Sequence, residues 1–246
     1  MAVLAEDTRR TRQLLDHYGI RTPMIAYHEH NEARGVPRIL ERLAGGDDLA
    51  LVSDAGTPLL SDPGARLVAA AVERGLPVVP IPGASALLAS LVASGLTDER
   101  FTFYGFLPRQ GRTRQAALRE VVESPHVAVI YEAPSRTGAT LDALREVGAG
   151  DRMAVVAREL TKKFEEFRRG TVTELSAYYQ NAAPRGEVVI LIGAGAETRP
   201  DEAALSAAAR RLRAEGLSPR DVARRLNEDF SAPRNLAYRL AQEAGE

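Results

Sequence analysis

Cysteine is absent from the 246 residues of this sequence, and histidine occurs only four times. Without cysteine, the chain has no disulfide, no thiolate metal site and no cysteine nucleophile. Four scattered histidines also argue against a structural zinc site, so we expect no metal. The longest apolar stretch, residues 84–92, is interrupted by serines and is too short to cross a bilayer. We therefore expect no membrane association.

A targeting segment and a strong net charge are also missing. Residues 1–6 do not combine a basic region, an apolar core and a cleavage site, so we expect a cytoplasmic protein. The formal net charge is −1, which exerts no global attraction on nucleic acid. Basic residues nevertheless cluster at three places in the sequence. Such clusters suggest contact with a phosphate-rich surface, although solvated helix faces explain most of them. The basic clusters are Arg9, Arg10 and Arg12; Lys162, Lys163, Arg168 and Arg169; and Arg210, Arg211, Arg213, Arg220, Arg224 and Arg225.

Short apolar runs alternate with helical patterns over most of the chain. The alternation indicates an α/β fold with mainly parallel strand pairing. A helix over residues 7–18 is expected to begin at Asp7 as N-cap, with Leu14 and Leu15 facing the core. Strands are predicted at residues 24–27, 49–52, 78–81, 102–106, 127–131, 154–157, 167–172 and 188–192.

Two breaks in the pattern suggest the domain organisation. The polar segment 97–100 divides the α/β region, and a break at residues 193–200 precedes three helical stretches. We therefore predict an N-terminal α/β domain over residues 1–97 and a C-terminal α/β domain over residues 98–195. Residues 201–246 are predicted to form a small module similar to a helix-turn-helix, in which Ser218 and Pro219 begin the middle helix.

The most informative loop follows the second predicted strand. It carries Asp54, Gly56 and Thr57 to the carboxyl end of that strand, where open parallel sheets bind their ligands. A carboxylate there accepts hydrogen bonds from a ribose or an amino group, and a glycine permits close approach of the backbone. The alternative is an ordinary turn in which Ser61 and Asp62 cap the next helix. The loop is neither a Walker loop nor a dinucleotide-binding Gly-x-Gly-x-x-Gly sequence.

Three more loops repeat the arrangement of strand, polar turn and helix. Ser85 opens a helix of small residues whose free amides suit a carboxylate or phosphate, although ordinary capping is the simpler interpretation. Tyr131 and Glu132 follow another strand and are candidates for a pocket wall. The last loop carries Arg158, Glu159 and Lys162. These side chains either contact substrate or form an internal ion pair, and the ion pair is the commoner arrangement.

These loops occur in an order that resembles the ribosomal RNA small subunit methyltransferase I family, which belongs to the class III, tetrapyrrole-methylase-like methyltransferases. Single motifs of this kind are weak, whereas the ordered set covers nearly the whole chain. The matching motifs are Ala5-Glu-Asp-Thr-Arg9 with Leu14-Leu15, residues 53–64, Ile81-Pro-Gly-Ala-Ser85, Gly105-Phe-Leu-Pro108, Tyr131-Glu-Ala-Pro134 with Arg136, and Ala157-Arg-Glu-Leu-Thr-Lys162 with Arg169-Gly-Thr171.

The resemblance implies two α/β domains of the tetrapyrrole methylase type, with S-adenosylmethionine bound in the cleft between them. It implies a homodimer that methylates the ribose 2′-hydroxyl of a cytidine in 16S rRNA within the assembled small ribosomal subunit. It also implies cofactor contacts from Asp54, Ala55, Gly56, Thr57, Ser85, Ala86, Tyr131, Ala157, Gly186 and Glu187.

The sequence departs from the family pattern at two places. Family members usually have a histidine before the arginine of the Tyr-Glu-x-Pro motif, and this chain has Ser135 there. They also begin with a strand, a Thr-Pro-Ile-Gly-Asn-Leu loop and a helix before the Glu-Asp-Thr-Arg motif, whereas Glu6 lies near the first residue here. We therefore expect that a βα unit, with a central strand and part of the cofactor wall, is absent.

Methyl transfer from a sulfonium to a hydroxyl is an in-line displacement, in which alignment contributes much of the rate. A general base would assist the weak ribose nucleophile, and the candidates are Glu6, Asp7, Glu132 and Glu159. RNA phosphates are expected to be held by Arg9, Arg10, Arg12 and Lys162. Two other functions stay open: a tetrapyrrole methyltransferase of the precorrin type, and a non-catalytic RNA- or nucleotide-binding regulator.

Overall fold

The computed structural model describes residues 1–96, 100–195, 202–230 and 232–245. The chain divides into two units, residues 1–193 and residues 194–246. Within the first unit, one β-sheet precedes residue 97 and a separate sheet follows residue 100. The predicted linker lies mostly at residues 97–99, outside the described ranges, so the division of the first unit into two α/β domains stays a prediction.

The first sheet is parallel, as the sequence predicts. The sequence analysis missed β1, a run of four residues at the start of the chain. All residues of β1 are buried, because it is the central strand and is paired on both edges. The strands are β1 (Ala2–Ala5), β2 (Met24–Ala26) and β3 (Leu49–Val52), in the order β2-β1-β3, and the helices are α1 (Thr8–His17), α2 (Glu29–Ala44) and α3 (Ala65–Glu73).

Helix α1 begins at the predicted N-cap, since the Asp7 carboxylate accepts a hydrogen bond from the amide of Arg9 at 2.8 Å. The prediction that Leu14 faces the core is wrong, because Leu14 is 58% exposed. Thr11 is buried, and Leu15, four positions later on the same helix face, is partly buried. Leu14 is turned away from that face, since successive helical residues are rotated by about 100°.

The predicted strand at residues 78–81 does not form. Residues 76–85 adopt neither helix nor strand, and the side chains of Val79 and Ile81 are 74% and 83% exposed. An apolar run forms a strand only where a neighbouring strand satisfies its backbone hydrogen bonds. Among the described residues, no strand pairs with this segment, because the first sheet ends at β3.

The second sheet is mixed, so the prediction of mainly parallel pairing is wrong for it. Among its described neighbours, β4 and β5 pair in parallel and the other pairs are antiparallel. The connection from β6 to β7 is too short for a crossover helix, and β8 inserts between β5 and β6 in the opposite direction. The strands are β4 (Phe101–Phe106), β5 (Val127–Glu132), β6 (Met153–Arg158), β7 (Glu166–Thr171) and β8 (Val188–Ile192), in the order β4-β5-β8-β6-β7.

Helices cover both faces of the second sheet. On one face, α5 (Gly111–Glu123), α6 (Thr137–Leu144) and α7 (Val172–Asn181) bury a core that includes Ile130 and Ile190. On the other face lies α4 (Ala86–Ser94), whose Leu87 and Leu91 belong to the same apolar cluster as Val129 and Leu191. Because α4 precedes residue 97 in the chain, it links the loops of the first sheet to the second sheet.

The second unit is helical and has its own core. Its helices are α8 (Glu202–Ala214), α9 (Pro219–Phe230) and α10 (Arg234–Glu243), and their core includes Leu205, Leu212, Leu226 and Leu240. Ser218 caps α9 as predicted, because its hydroxyl accepts a hydrogen bond from the amide of Asp221 at 3.2 Å. None of the helices in the described ranges has the length and apolar character needed to span a bilayer.

Candidate active site

The loops that the sequence analysis singled out meet at one edge of the second sheet. β4, β5 and β6 end at this edge and β8 begins there, as the strand register requires. The hydroxyl of Tyr131, at the end of β5, accepts a hydrogen bond from the amide of Leu87 at 3.1 Å. The hydroxyl of Thr57 donates to the carbonyl of Ala84 at 3.0 Å. Loops from both sheets therefore converge here.

Asp54 is held at the end of β3 by the start of α1. Its carboxylate accepts a hydrogen bond from the amide of Asp7 at 3.1 Å, and the guanidinium of Arg10 lies 3.7 Å away. Gly56 has a φ of +79°, and within the described ranges the nearest atom to a Cβ placed there would be the Ala84 carbonyl oxygen, at 4.0 Å. The backbone of this loop is therefore open to a ligand, as expected at the end of a parallel strand.

A strained turn follows in the same loop. Leu59 and Ser61 have φ values of +74° and +69°, which residues other than glycine rarely adopt. Strain of this kind clusters where a loop must present a functional group. The turn packs against β4, where a Cβ on Gly105 would lie 3.0 Å from the Ser61 hydroxyl. The alternative that Ser61 and Asp62 cap α3 is wrong, because the N-cap residue is Gly64.

Asp62, in the strained turn, lies among other carboxylates. Partial burial and repulsion from Glu6 and Asp54 raise the pKa of Asp62 to about 6, although a hydrogen bond from Ser53 opposes the shift. A carboxyl group that titrates near neutral pH is typical of catalytic acids and bases. Asp62 was not among the site residues predicted from the sequence, because an aspartate before a helix has the same local pattern as a cap. The position of Asp62 within residues 53–64, the longest motif shared with the family, was the signal in the sequence that could have indicated a functional residue.

The N-terminus of α4 presents amides to the same region. Ser85 caps the helix by accepting a hydrogen bond from the Leu88 amide at 3.4 Å, and Tyr131 accepts the amide of Leu87. The amides of Ser85 and Ala86 have no partner in the described part of the chain. Free amides at the start of a helix bind carboxylates and phosphates. Capping and ligand contact are therefore both compatible with this loop.

Tyr131 connects these amides to an aromatic cluster. Its ring makes edge-to-face contacts with Phe103 and Phe106, at centroid distances of 4.9 and 5.8 Å. Burial raises the pKa of Tyr131 above its ordinary value. The hydroxyl is therefore neutral at physiological pH and acts as a hydrogen-bonding group rather than as a charge.

Glu132 has the environment of a structural residue. Its side chain is fully buried and lies 3.1 Å from the guanidinium of Arg136. It also accepts hydrogen bonds from the Thr140 hydroxyl at 2.6 Å and from the Ala133 amide at 2.8 Å. A buried carboxylate with these partners stabilises the turn after β5 and is not accessible to the hydroxyl of an RNA.

Glu159, Lys162 and Glu187 form an ionic network at the same sheet edge. The ammonium of Lys162 lies 3.0 Å from the Glu159 carboxylate and 3.1 Å from the Glu187 carboxylate. Glu159 also accepts a hydrogen bond from the Glu187 amide at 3.1 Å and abuts Gly186. The hydrogen bond from Lys162 lowers the pKa of Glu159. The sequence left open whether this loop contacts substrate or forms an internal ion pair, and the structure contains the ion pair.

The two carboxylates at the start of α1 differ from each other. The hydrogen bonds with Arg9 lower the pKa of Asp7 to about 2, which leaves a weak base. Glu6 is partly buried and acts electrostatically on Asp62. Among the four carboxylates proposed from the sequence, Glu6 is therefore the one that stands beside the residue with the raised pKa.

Ala157 and Arg158 are less accessible than the motif suggests. Ala157 is fully buried, and its backbone is paired with Phe167 on one side and Val189 on the other. Arg158 forms an ion pair with Glu166 at 2.7 Å. The structure therefore brings these two residues into the second sheet and not to the surface of the loop cluster.

The arginines of α1 are exposed or half-exposed and each has a carboxylate neighbour. Arg9 lies 2.8 Å from Asp7, and Arg12 lies 3.8 Å from Asp16. Arg10 lies closest to the candidate cofactor loop, through its contact with Asp54. Surface ion pairs of this kind contribute little stability, so the guanidinium groups remain available to phosphates.

The site as a whole combines negative charge, free amides and a neutral tyrosine. The carboxylates of Glu6, Asp54 and Asp62 favour a ligand that carries positive charge, because they repel one another when they are all ionised. The free amides of Ser85 and Ala86 favour an anionic group.

The fold and the site define a methylase of the tetrapyrrole type. The family model for Tetrapyrrole (Corrin/Porphyrin) Methylases matches residues 1–176. A uroporphyrin-III C-methyl transferase from Thermus thermophilus, solved with S-adenyl homocysteine, has a TM-score of 0.54 and 18% identity over 78% of this chain and 84% of that chain. A diphthine synthase has a TM-score of 0.57 and 15% identity over 78% of each chain. These structures share the fold.

Curated relatives have much higher sequence identity. A ribosomal RNA small subunit methyltransferase I from Synechocystis sp. is 46% identical over 219 residues, which cover 88% of this chain and 78% of that protein. Its namesake from Mesorhizobium japonicum is 48% identical over 203 residues, which cover 82% of this chain and 69% of that protein. The chain belongs to the ribosomal RNA small subunit methyltransferase I family.

Proposed function

We propose that this protein transfers a methyl group from S-adenosylmethionine to the ribose 2′-hydroxyl of a cytidine in 16S rRNA, within the assembled small ribosomal subunit. We further propose that it acts as a homodimer in the cytoplasm. The observation that carries the proposal is the convergence of three loops around the carboxylates of Asp54 and Asp62. The name that the relatives share points to ribosomal RNA as the acceptor.

The residues at the loop cluster fit S-adenosylmethionine, which supplies an activated methyl group on a sulfonium when it is bound. Asp54 and Asp62 complement its positive charge. The amides of Ser85 and Ala86 suit its carboxylate. A Cβ on Gly83 would meet no atom of the described residues within 4 Å, so the backbone before α4 leaves room for a bound molecule.

We assign the role of general base to Asp62. Its pKa of about 6 leaves it ionised at neutral pH while it stays more basic than an ordinary aspartate. The pKa of Asp7 is lowered to about 2, which makes it a weaker base. Glu6 supports Asp62, because the repulsion between the two carboxylates keeps the pKa of Asp62 high. Asp62 would accept the proton that the ribose hydroxyl loses during methyl transfer.

A tetrapyrrole methyltransferase is the competing function in the same fold class. The tetrapyrrole enzymes among the similar structures are only 17–18% identical to this chain, and that identity supports a shared fold alone. The exposed arginines of α1 and the arginines of α8 favour a phosphate-rich acceptor. A regulator without catalysis would not need several strand-end loops directed at one cleft.

The methyl-donor site is tested by calorimetry with S-adenosylmethionine. Asp54→Ala removes a carboxylate from the loop, and we expect the dissociation constant to rise by about 10-fold or more, without unfolding. Asp48→Ala removes an exposed carboxylate from the turn before β3 and should bind like the parent. An unchanged dissociation constant for Asp54→Ala would refute the assignment. The acceptor is tested by methyl transfer to small ribosomal subunits beside a precorrin.

A further inference from the structure

A groove of about 650 Å³ lies beside the methyl-donor site, at the carboxyl ends of β4 and β5. Its walls are the turn after β4, with Phe106, Pro108 and Arg109, and the turn after β5, with Ser135 and Arg136. The volume is within the range of roughly 300–1,000 Å³ that is typical of small-ligand pockets. None of the roles described so far uses this groove.

Two arginines hold the walls of the groove in place. Arg136 donates to the carbonyl of Leu107 at 3.0 Å, and Arg114 donates to the carbonyl of Pro108 at 3.1 Å. Arg136 is also paired with the buried Glu132. These hydrogen bonds to backbone carbonyls position the turn after β4.

The groups that remain free in the groove are of three kinds. Phe106 is 56% exposed although it is aromatic and apolar. Arg109 is exposed and has no ion pair or hydrogen bond with any described residue. The hydroxyl of Ser135 is exposed and is likewise without a partner in the described ranges. An aromatic face, a free cation and a hydroxyl are the groups with which proteins bind an unstacked nucleotide.

We infer that this groove binds one nucleotide of a single-stranded rRNA segment, with the base stacked on Phe106 and a phosphate on Arg109. The inference rests on the proposed function. The ring of Phe106 contacts Tyr131, whose hydroxyl is bonded to the first turn of α4, so a nucleotide in the groove would lie next to the methyl donor. Ser135 stands within reach of the nucleotide as a hydrogen-bonding group, and it leaves more room than a larger side chain would.

The test measures binding of unmethylated small ribosomal subunits and of S-adenosylhomocysteine by the same variants. We expect Phe106→Ala to weaken subunit binding by about 5- to 150-fold, and Phe106→Tyr to restore it, because the ring provides the stacking surface. Arg109→Ala should lower the salt slope of subunit binding by about one. Arg112→Ala, an exposed arginine on α5 that does not line the groove, should keep the slope of the parent. All variants should bind S-adenosylhomocysteine like the parent.

Each outcome decides between alternatives. If Phe106→Ala binds subunits like the parent, or if Arg109→Ala and Arg112→Ala have the same slope, the groove is not a nucleotide site. If Phe106→Ala or Phe106→Tyr loses S-adenosylhomocysteine instead, the groove belongs to the methyl-donor site and the inference is wrong. If the parent itself does not bind subunits, the proposed function fails and the inference fails with it.

Discussion

The amide of Leu87 donates a hydrogen bond to the hydroxyl of Tyr131 at 3.1 Å, across 44 positions of sequence. This bond joins the N-terminus of α4 to the end of β5, where the proposed methyl-donor site lies. Tyr131→Phe removes the acceptor and keeps the ring. We expect a loss of about 1 kcal/mol in the free energy of unfolding and weaker binding of S-adenosylmethionine in calorimetry.

Tyr104→Phe is the matched control for this change. The Tyr104 hydroxyl donates to the carbonyl of Glu120 at 3.0 Å, away from the loop cluster. Its loss should lower stability by a similar amount and leave the affinity for S-adenosylmethionine unchanged. Equal affinities for the two variants would mean that the bond between α4 and β5 is only structural.

The raised pKa of Asp62 predicts a specific dependence of stability on pH. The pKa is about 6 in the folded protein against an ordinary value of 3.8, so the folded state binds this proton more tightly than the unfolded state. The resulting stabilisation is fully present below the ordinary value and is lost as the pH rises through about 6. Asp62→Asn should therefore lack this loss and be more stable than the parent at pH 8 in denaturant titrations.

Asp47 provides a control of opposite sign for the stability experiment. The hydrogen bond from Arg42 lowers the pKa of Asp47, so its contribution is present above the ordinary pKa and is lost as the pH falls through the lowered value. Asp47→Asn should consequently differ from the parent most at neutral pH, in the destabilising direction. If Asp62→Asn behaves like Asp47→Asn, the carboxylate cluster around Asp62 is misassigned.

The same titration predicts the pH profile of catalysis. A base must be deprotonated, so kcat/KM for methyl transfer should rise with pH through an apparent pKa near 6. Asp62→Asn should reduce kcat by about 10²- to 10⁴-fold and abolish this rise, which is the acidic limb of the pH profile. Glu132→Gln should not change the position of the limb, because Glu132 is buried with Arg136. A limb that persists in Asp62→Asn would assign the base elsewhere.

The helices of the second unit are predicted to add RNA affinity and no catalytic group. They have their own apolar core, and exposed arginines lie on α8, at Arg210 and Arg211. Removal of residues 201–246 should weaken binding to small subunits and leave the dissociation constant of S-adenosylmethionine unchanged. If the truncated chain no longer binds S-adenosylmethionine, the segment belongs to the catalytic unit and the predicted boundary is wrong.

The arginines of α1 are predicted to contact RNA phosphates. Arg9 and Arg12 share a helix face, and each forms an ion pair with a carboxylate of the same segment, Arg9 with Asp7 and Arg12 with Asp16. When a phosphate contact is lost, RNA binding releases fewer counterions. Arg9→Ala and Arg12→Ala should therefore each reduce the slope of log K against log salt concentration by about one. Arg38→Ala, an exposed arginine on α2, serves as the control. Parallel slopes in all variants would direct the search to the surfaces near Lys162 or Arg220.

Much of the fold follows from local pattern, and the errors have physical causes. Alternation predicted most strands, and Asp7 and Ser218 begin their helices as expected. Residues 78–81 have the composition of a strand, yet pairing depends on a neighbour that the local sequence does not reveal. The antiparallel direction of β8 likewise depends on where the chain returns to the sheet, which is a property of the whole topology.

The candidate site was predictable as a set of loops and less so as a set of roles. The order of the motifs predicts that Asp54, Ser85 and Tyr131 lie in one cluster, and hydrogen bonds between Thr57 and Ala84 and between Leu87 and Tyr131 join their loops. The role proposed for Asp62 depends on burial and on repulsion by Glu6, which belongs to a different part of the chain. A pattern of residue types cannot report such electrostatic effects between distant segments.

The most direct test of the proposed function is the identity of the methylated nucleoside. Small ribosomal subunits that lack the modification are incubated with the protein and labelled S-adenosylmethionine, and the 16S rRNA is digested to nucleosides for mass spectrometry. The proposed function predicts one labelled 2′-O-methylcytidine per subunit, and labelling that is slower by about 10²-fold or more with Asp62→Asn. Label on a nucleobase, or transfer to a precorrin with none to the subunit, would contradict it.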